Sequence, residues 1–216
     1  MRIDYVIDPG SVKKGNFHWV CSEAKQTPGT DISALATSLV EKLQSGCKVT
    51  LGVECVLFIP CPDNVARLGA ARDGECTPQT GNKPFTACAG ACATMTGLQA
   101  LAWIFREIHR RFSYALGTTK WEAFMDGRAN LFIWEAFVSG KEKGENHHED
   151  ALLALEAFGA DAAKNIANAT RVTAENPISL VASLILWAGL SEDVSLLKWP
   201  CIVIRPLPNL QKKAYV

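Results

Sequence analysis

The stretch Tyr5-Val6-Ile7-Asp8-Pro9-Gly10-Ser11 is an apolar run that ends in a carboxylate and a turn. Residues 3–7 have the composition of a buried β-strand. Pro9 fixes φ and has no amide hydrogen, and Gly10 permits a positive φ, so the chain must reverse directly after Asp8. The stretch therefore predicts a buried strand that ends at Asp8, with the carboxylate facing a cleft above a sheet. A carboxylate in that position needs compensation, which a divalent cation commonly provides.

The length and composition are those of one globular domain. The chain has 216 residues, 48% of them hydrophobic, and its 22 basic residues balance 22 acidic ones. We expect a single domain over residues 1–216, with a helix and a strand from about residue 170 to 216 as a C-terminal extension. The balanced charge argues against strong non-specific binding of nucleic acid, although it leaves a local basic face open.

The sequence has no recognisable signal peptide or membrane-spanning segment. Its longest apolar stretch, residues 178–190, is too short to cross a bilayer. The eight cysteines include no CxxC pair, and Cys21, Cys55 and Cys201 stand inside apolar runs. This spacing favours reduced thiols over disulfides or a zinc site. We therefore expect a cytoplasmic protein without a membrane partner.

The first part of the chain alternates strands with a helix. Residues 17–21 predict a second strand that forms an antiparallel hairpin with the first. Asp31 is the expected N-cap of a helix whose apolar residues keep helical spacing until Gly46. Residues 49–59 are rich in β-branched side chains around Glu54, and they predict an interior strand parallel to the first.

The second part continues this alternation after a long loop, residues 60–84, that has no periodicity. Its predicted elements are a helix over 85–112, a strand over 130–138, a helix over 147–158, a helix from Pro177 through Trp187 and a strand over 201–205. The expected fold class is α/β, with a mixed β-sheet flanked by α-helices on both faces.

Three predicted strands have a carboxylate within apolar sequence or at its end: Asp8, Glu54 and Glu135. An acidic side chain in an interior strand is costly unless it is paired or bound to a metal. In open α/β sheets, ligands gather at the carboxyl ends of the parallel strands. Three such acids in neighbouring strands therefore indicate a shared site.

The helix that begins with His147-His148-Glu149-Asp150 supplies further candidates. Residues three apart share a helix face, so His147 and Asp150 are expected to point together toward the sheet. The alternative is a helix N-terminus whose first-turn acids complement the helix dipole. Oxygen ligands with one imidazole favour Mg²⁺ or Mn²⁺ over a thiolate zinc site.

Four segments of the chain resemble motifs of the RuvC-type Holliday-junction resolvases. Residues 7–11 resemble the opening motif, 52–57 the second acidic strand, 63–74 the helix after it, and His147-x-x-Asp150-Ala151-Leu152 the final helix. The resemblance implies the RNase H-like fold. It also implies that Asp8, Glu54, His147 and Asp150 are catalytic, metal-binding residues.

A second resemblance covers most of the chain and is to an uncharacterised family of predicted RNase H-like nucleases. It includes the strand that carries Glu135, the helix that begins at His147 and the C-terminal residues 178–190. This resemblance implies an RNase H-like mixed β-sheet flanked by α-helices, and nuclease activity.

The expected function is a metal-dependent nuclease or phosphohydrolase that cleaves phosphodiester bonds in nucleic acid by a two-metal mechanism. Asp8 would bridge two Mg²⁺ or Mn²⁺ ions, and Glu54 and Asp150 would each hold one. His147 would ligate an ion or assist proton transfer. Glu135 would be a further ligand or would orient one.

Basic residues near the predicted site are candidates for contacts with the substrate phosphate, on position alone. They are Lys13, Lys14, Arg67 and Arg72. A nucleic acid is the partner that this hypothesis requires, although DNA, RNA, branched junctions and small phosphorylated molecules all suit a cluster of acids on a sheet.

The alternative function is a non-catalytic binding or scaffold protein that retains the RNase H-like fold. A set of aromatic residues is compatible with self-association as a homodimer or with core packing: Trp103, Phe105, Phe112, Tyr114 and Trp121. An ATPase of the actin-like kind also opens with a strand, an Asp and a Gly turn. It would need a duplicated half and glycine-rich phosphate loops, which this sequence lacks.

Overall fold

The computed structural model describes residues 1–23, 29–76, 84–164, 166 and 172–206. The strands in these ranges are β1 Arg2–Pro9, β2 Phe17–Cys21, β3 Lys48–Val53, β4 Phe58–Ile59, β5 Gly117–Thr118, β6 Leu131–Ala136, β7 Ile178–Ser179 and β8 Val203–Ile204. The α-helices are α1 Ile32–Gln44, α2 Cys88–Arg111, α3 Trp121–Met125, α4 His147–Lys164 and α5 Leu180–Trp187.

A six-stranded mixed sheet forms the centre of the fold. Its order is β2-β1-β3-β6, and both β5 and β8 pair with the outer edge of β6. β2 is antiparallel to β1, and the other pairs in this sheet are parallel. Gly117 of β5 lies opposite Leu131 at the start of β6, and Val203 of β8 lies opposite Glu135 near its end. β4 and β7 form a separate antiparallel pair.

Helices cover both faces of this sheet. Successive side chains of a strand point to opposite faces. One apolar cluster contains Ile7, Val53 and Ile133 with residues of α1, α2 and α5. The other contains Val6 and Trp134 with residues of α3 and α4. The α/β class with a mixed sheet between helices is therefore confirmed.

The amino-terminal elements follow the predicted pattern. β1 and β2 form the antiparallel hairpin, and β3 is parallel to β1. Asp31 caps α1 by accepting a hydrogen bond from Ser33 N at 2.8 Å. Gly46 follows this helix with a φ of +78°, a left-handed conformation that ends it at little cost for glycine. α2 and β6 lie within their predicted ranges, and α4 begins at His147 as predicted.

The strand predicted over residues 49–59 is two strands in different sheets. β3 ends at Val53, where Cys55 N donates to Val53 O at 2.9 Å in a tight turn. The chain then leaves the main sheet, and β4 pairs with β7. Glu54 therefore lies directly after β3 instead of at the centre of a long strand.

Two other predicted elements differ from the structure. The helix implied over residues 63–74 is a single 3₁₀ turn at Val65–Arg67. The helix predicted from Pro177 begins at Leu180, because the two preceding residues form β7 and Ser179 Oγ accepts from Ala182 N to cap α5. Residues 77–83 of the predicted loop, and parts of the predicted C-terminal extension, lie outside the described residues.

The sequence predicts reduced cysteines and no membrane-spanning segment, and the structure describes the residues that bear on both. All eight cysteines are free, and four of them are buried: Cys21, Cys47, Cys55 and Cys201. Burial raises the pKa of the Cys55 and Cys201 thiols well above the usual value, and the nearby charge of Glu135 raises both further. In the part of the chain that the structure describes, no helix has both the length and the apolar character needed to cross a membrane.

Candidate metal centre

The strand register places Asp8 and Glu54 at the same end and on the same face of the sheet. Ile7 lies opposite Val53 in the parallel β1–β3 pair, and Glu54 N continues the ladder by donating to Ile7 O at 2.9 Å. Asp8 and Glu54 each follow one of these paired residues, so the alternation of side chains turns both toward α4. Asp8 is buried, and the Glu54 side chain is 13% exposed.

The first turn of α4 brings a third carboxylate to this place. α4 packs across β1 and β2, and its Asp150 is buried. One oxygen from each of Asp8, Glu54 and Asp150 lies within 4.8 Å of the other two. His147, on the same face of α4, contacts the cluster through Asp8, with 2.6 Å between Nδ1 and Oδ2. The structure thus brings together the four residues that the RuvC-type resemblance implies.

The loop before α4 fixes the orientation of Asp150. Gly144 N donates to Asp150 Oδ1 at 2.7 Å. A Cβ atom on Gly144 would lie 2.4 Å from Glu149 Cβ, so this close approach requires glycine. Glu149 Oε2 accepts from Glu145 N at 2.7 Å. The two acidic residues of the first turn therefore have different roles: Glu149 caps the start of the helix, and Asp150 faces the cluster.

Lys143 is a member of the site that the sequence analysis missed. Its Nζ atom lies 3.3 Å from Asp150 Oδ2 and 3.5 Å from Glu54 Oε1. Its side chain is 48% exposed, so the ammonium reaches the carboxylates from the solvent side. Lys143 precedes α4 on an irregular loop, where no periodicity relates a residue to the helix face. Its position depends on the path of residues 143–146, which the sequence pattern does not predict.

Glu54 is the carboxyl group with the least favourable surroundings. Burial raises its pKa well above the usual value, the charges of Asp8 and Asp150 raise it further, and Lys143 opposes them. Its Oε2 atom is buried and has no hydrogen-bond partner among the described residues. A buried carboxylate oxygen without a partner is costly, and a bound cation removes that cost. The donor set of three carboxylates therefore fits a hard divalent ion.

His18 also lies beside the cluster and was not singled out from the sequence. β2 places it directly opposite Asp8 in the hairpin. Its ring stacks on that of His147, with centroids 5.8 Å apart and planes at 21°. Residues paired across a hairpin share a face, so the predicted hairpin places some residue of β2 beside Asp8. That this residue is His18 depends on the register between the strands, which the strand pattern does not contain.

Glu135 does not join the cluster, which contradicts its prediction as a ligand or an orienting residue. It lies opposite Val53, one residue out of step with Asp8 and Glu54, so its side chain points to the other face of the sheet. There it accepts two hydrogen bonds from Arg72, at 2.7 and 2.8 Å, and one from Leu57 N at 3.0 Å.

Arg72 is correspondingly unavailable to a substrate. Its side chain is fully buried, pairs with both Glu135 and Glu75, and stacks over the Phe58 ring at 4.8 Å. The prediction that Arg72 contacts phosphate is therefore contradicted. Two anionic partners make this guanidinium a link between the segment after β4 and the central sheet.

The other three basic candidates lie on the surface. Lys13 and Lys14 are exposed on the 3₁₀ turn Val12–Lys14, which follows Asp8 and the end of β1. Arg67 lies on the loop after β4 and pairs with Glu175 at 2.9 Å. Lys13 and Lys14 thus belong to the same end of the sheet as the carboxylates, whereas Arg67 has an anionic partner of its own.

The centre is an acidic cluster at the carboxyl ends of β1 and β3, closed by the start of α4 and approached by Lys143. Its oxygen donors suit Mg²⁺ or Mn²⁺ better than a softer metal. Comparisons of the chain with protein-family models, with curated proteins and with solved structures find no match. Its chemistry is therefore inferred from its own side chains.

Proposed function

We propose that this protein is a divalent-metal-dependent nuclease or related phosphohydrolase of the RNase H-like type, which hydrolyses phosphodiester bonds. The observation that carries the proposal is the cluster of Asp8, Glu54 and Asp150, with one oxygen from each within 4.8 Å of the others. A buried cluster of this charge has little structural benefit without a cation. Nucleic acid is the proposed substrate.

The RNase H-like assignment is supported by where the acids lie in the sheet. An antiparallel hairpin begins the chain, a parallel strand joins the free side of β1, and Asp8 and Glu54 lie at the carboxyl ends of these two adjacent parallel strands. The helix that carries Asp150 crosses the same face as Asp8. These features agree with the two family resemblances in the sequence.

Asp8, Glu54 and Asp150 would hold the cation, for which we propose Mg²⁺ or Mn²⁺. When bound there, it supplies Lewis-acid polarisation of a phosphoryl oxygen and lowers the pKa of a coordinated water. Asp8 also orients His147, and an ionised carboxylate can only accept a hydrogen bond, so we assign the hydrogen to Nδ1 of the imidazole.

His147 is then the proposed proton acceptor. With its hydrogen on Nδ1, the neutral ring presents a lone pair at Nε2, and the side chain is 44% exposed toward solvent. In hydrolysis, a water oxygen forms a bond to phosphorus while the ester P–O bond breaks. Nε2 accepts the proton that the water loses, and the leaving oxygen takes up a proton from solvent.

Cleavage assays with single-stranded, duplex and four-way DNA and with RNA, each in Mg²⁺ and in Mn²⁺, test this proposal. We expect Asp8→Asn and Asp150→Asn to lose at least about a hundredfold in rate while keeping the wild-type circular dichroism spectrum. Asp4→Asn is a matched control, since Asp4 is a buried carboxylate of the same strand that pairs with Arg2 and Thr50 instead. Equal rates for Asp8→Asn and wild type would contradict the proposal.

A non-catalytic binding or scaffold protein remains the second candidate, with a homodimer as one form. Its support is reduced by where the aromatic residues lie: Phe105 is buried, and Trp103, Phe112 and Trp121 pack against the core clusters. Tyr114 is the strongly exposed member of the set, at 79%. Wild-type protein that neither cleaves any of these substrates nor binds Mn²⁺ would favour this candidate.

A further inference from the structure

The carboxylate oxygens of the centre differ in what they already bind. Asp150 has both oxygens engaged, one by Gly144 N at 2.7 Å and the other by Lys143 Nζ at 3.3 Å. Asp8 Oδ2 is held by His147. Glu54 Oε1 faces Lys143, while its Oε2 is buried without a hydrogen-bond partner among the described residues. Lys143 thus already neutralises one side of the cluster.

The net charge of these groups also limits how many divalent ions the cluster can hold. When all three carboxylates are ionised around a bound cation, they and the Lys143 ammonium together carry two negative charges, which a single divalent ion neutralises. Two divalent ions beside Lys143 would leave a net positive charge in a partly buried site. Like charges confined at such distances repel strongly where the effective dielectric constant is below that of water.

We propose that Lys143 is a built-in cation of this centre, so that the centre binds one divalent ion instead of two. Its ammonium lies between Glu54 and Asp150, the two carboxylates that were each expected to hold a separate ion in a two-metal site. This inference rests on the proposed function, and it changes the number of metal ions in that function.

In this arrangement Lys143 acts on the substrate through its charge. Its Nζ atom is at the boundary between the buried carboxylates and solvent, where a phosphate would approach. The ammonium then contributes the charge stabilisation that a second ion supplies in two-metal sites. Lysine suits this role as a compact point charge on a flexible stem, with three donors that can be shared between carboxylate and phosphate oxygens.

Titration of metal-free protein with Mn²⁺, followed by electron paramagnetic resonance of the free ion, tests this inference without any activity assay. We expect wild type to bind one Mn²⁺ per chain and Lys143→Met to bind two, since the variant exposes oxygens of Glu54 and Asp150. Lys143→Arg keeps the charge and should bind one. Lys198→Met, at an exposed lysine after α5, is the control for loss of a surface charge and should also bind one.

The outcomes separate this inference from the proposed function. Wild type that binds two ions, or Lys143→Met that binds only one while its thermal melt shows a folded chain, would overturn the role of Lys143 and leave the metal centre intact. Wild type that binds no Mn²⁺ would overturn the proposed function and this inference with it. One ion in wild type and two in Lys143→Met would support both.

Discussion

At the scale of single residues, Glu54 determines how the centre responds to pH. Burial raises its pKa, and the charges of Asp8 and Asp150 raise it further. A carboxyl with a higher pKa in the folded chain than in the unfolded chain binds more protons when folded. Its contribution to stability is therefore lost as the pH rises from the ordinary value for glutamate through the raised one.

Glu54→Gln should consequently stabilise the metal-free protein at neutral and alkaline pH. We expect its melting temperature in EDTA to exceed that of wild type at about pH 8, and the two to converge at about pH 3, where Glu54 is protonated in both the folded and the unfolded chain. Differential scanning calorimetry at several pH values measures this difference. A difference that does not change with pH would show that ionisation of Glu54 is not its cause.

At the scale of elements, Arg72 ties the segment after β4 to β6. Arg72→Met would leave Glu135 buried opposite an uncharged side chain, and we expect a loss of about 3–5 kcal/mol in the free energy of unfolding. Arg67→Met is the matched control, since Arg67 pairs with Glu175 on the surface and should cost at most about 1 kcal/mol.

Urea denaturation measures the free energy of unfolding of Arg72→Met and of Arg67→Met. The single variant Glu135→Gln and the double variant Arg72→Met/Glu135→Gln complete a double-mutant cycle for the buried pair. The double variant should be more stable than the summed effects of Arg72→Met and Glu135→Gln predict, because position 135 then carries no unpaired charge. Equal costs for Arg72→Met and Arg67→Met would contradict the structural role of the buried pair.

Substitution of glycine by alanine should have opposite effects on stability at Gly52 and at Gly159. Gly52 of β3 lies opposite Trp134, and a Cβ there would lie 2.3 Å from Trp134 Cζ2. Trp134 is itself stacked on Phe158 with centroids 4.4 Å apart, so it has no room to move. Gly52→Ala should cost about 1–3 kcal/mol.

A Cβ added to Gly159 within α4 would meet no described atom within 4 Å other than those of its chain neighbours and the backbone of its own helix. Gly159→Ala should therefore stabilise the protein by about 0.5–1 kcal/mol through helix propensity. Melting temperatures of the two variants test the pair together. A stabilised Gly52→Ala would mean that Trp134 has more freedom than its packing indicates.

The sequence predicted the elements more reliably than the site, for a reason visible in Glu135. Strand patterns located Asp8, Glu54 and Glu135 at one end of the sheet, since β1, β3 and β6 are neighbours. Which face each side chain occupies depends on the register between strands, and a shift of one residue reverses it. Periodicity within one strand does not contain that register, so Glu135 was placed with the wrong partners.

At the scale of the whole molecule, the core separates two classes of cysteine. Four thiols are buried and four are exposed; the exposed ones are Cys61, Cys76, Cys88 and Cys92. A buried thiol reacts slowly because a reagent in solution cannot reach its sulfur atom. At Cys55 and Cys201 burial also raises the pKa, so less of the reactive thiolate is present.

We expect four of the eight thiols to react rapidly with Ellman's reagent in native protein, and the rest only after denaturation. Absorbance of the released thionitrobenzoate counts them, and peptide mapping identifies which ones reacted. Rapid reaction of Cys55 or Cys201 would contradict the packing of the core. Addition of Mn²⁺ should leave the count unchanged, since no cysteine belongs to the acidic cluster of Asp8, Glu54 and Asp150.

The two strands that cover the outer edge of β6 are synthesised at different times, β5 before β6 and β8 after it. β5 covers the start of this edge and is already present when β6 is synthesised. The end of the edge stays unpaired until β8 is synthesised about 70 residues later. At roughly 5–20 residues per second of synthesis, that interval is roughly 4–14 seconds. During this time the end of β6 is a bare strand edge, the kind of surface on which nascent chains aggregate. Exposure of this strand edge therefore ends only when Val203 and Ile204 have been synthesised and can pair with β6.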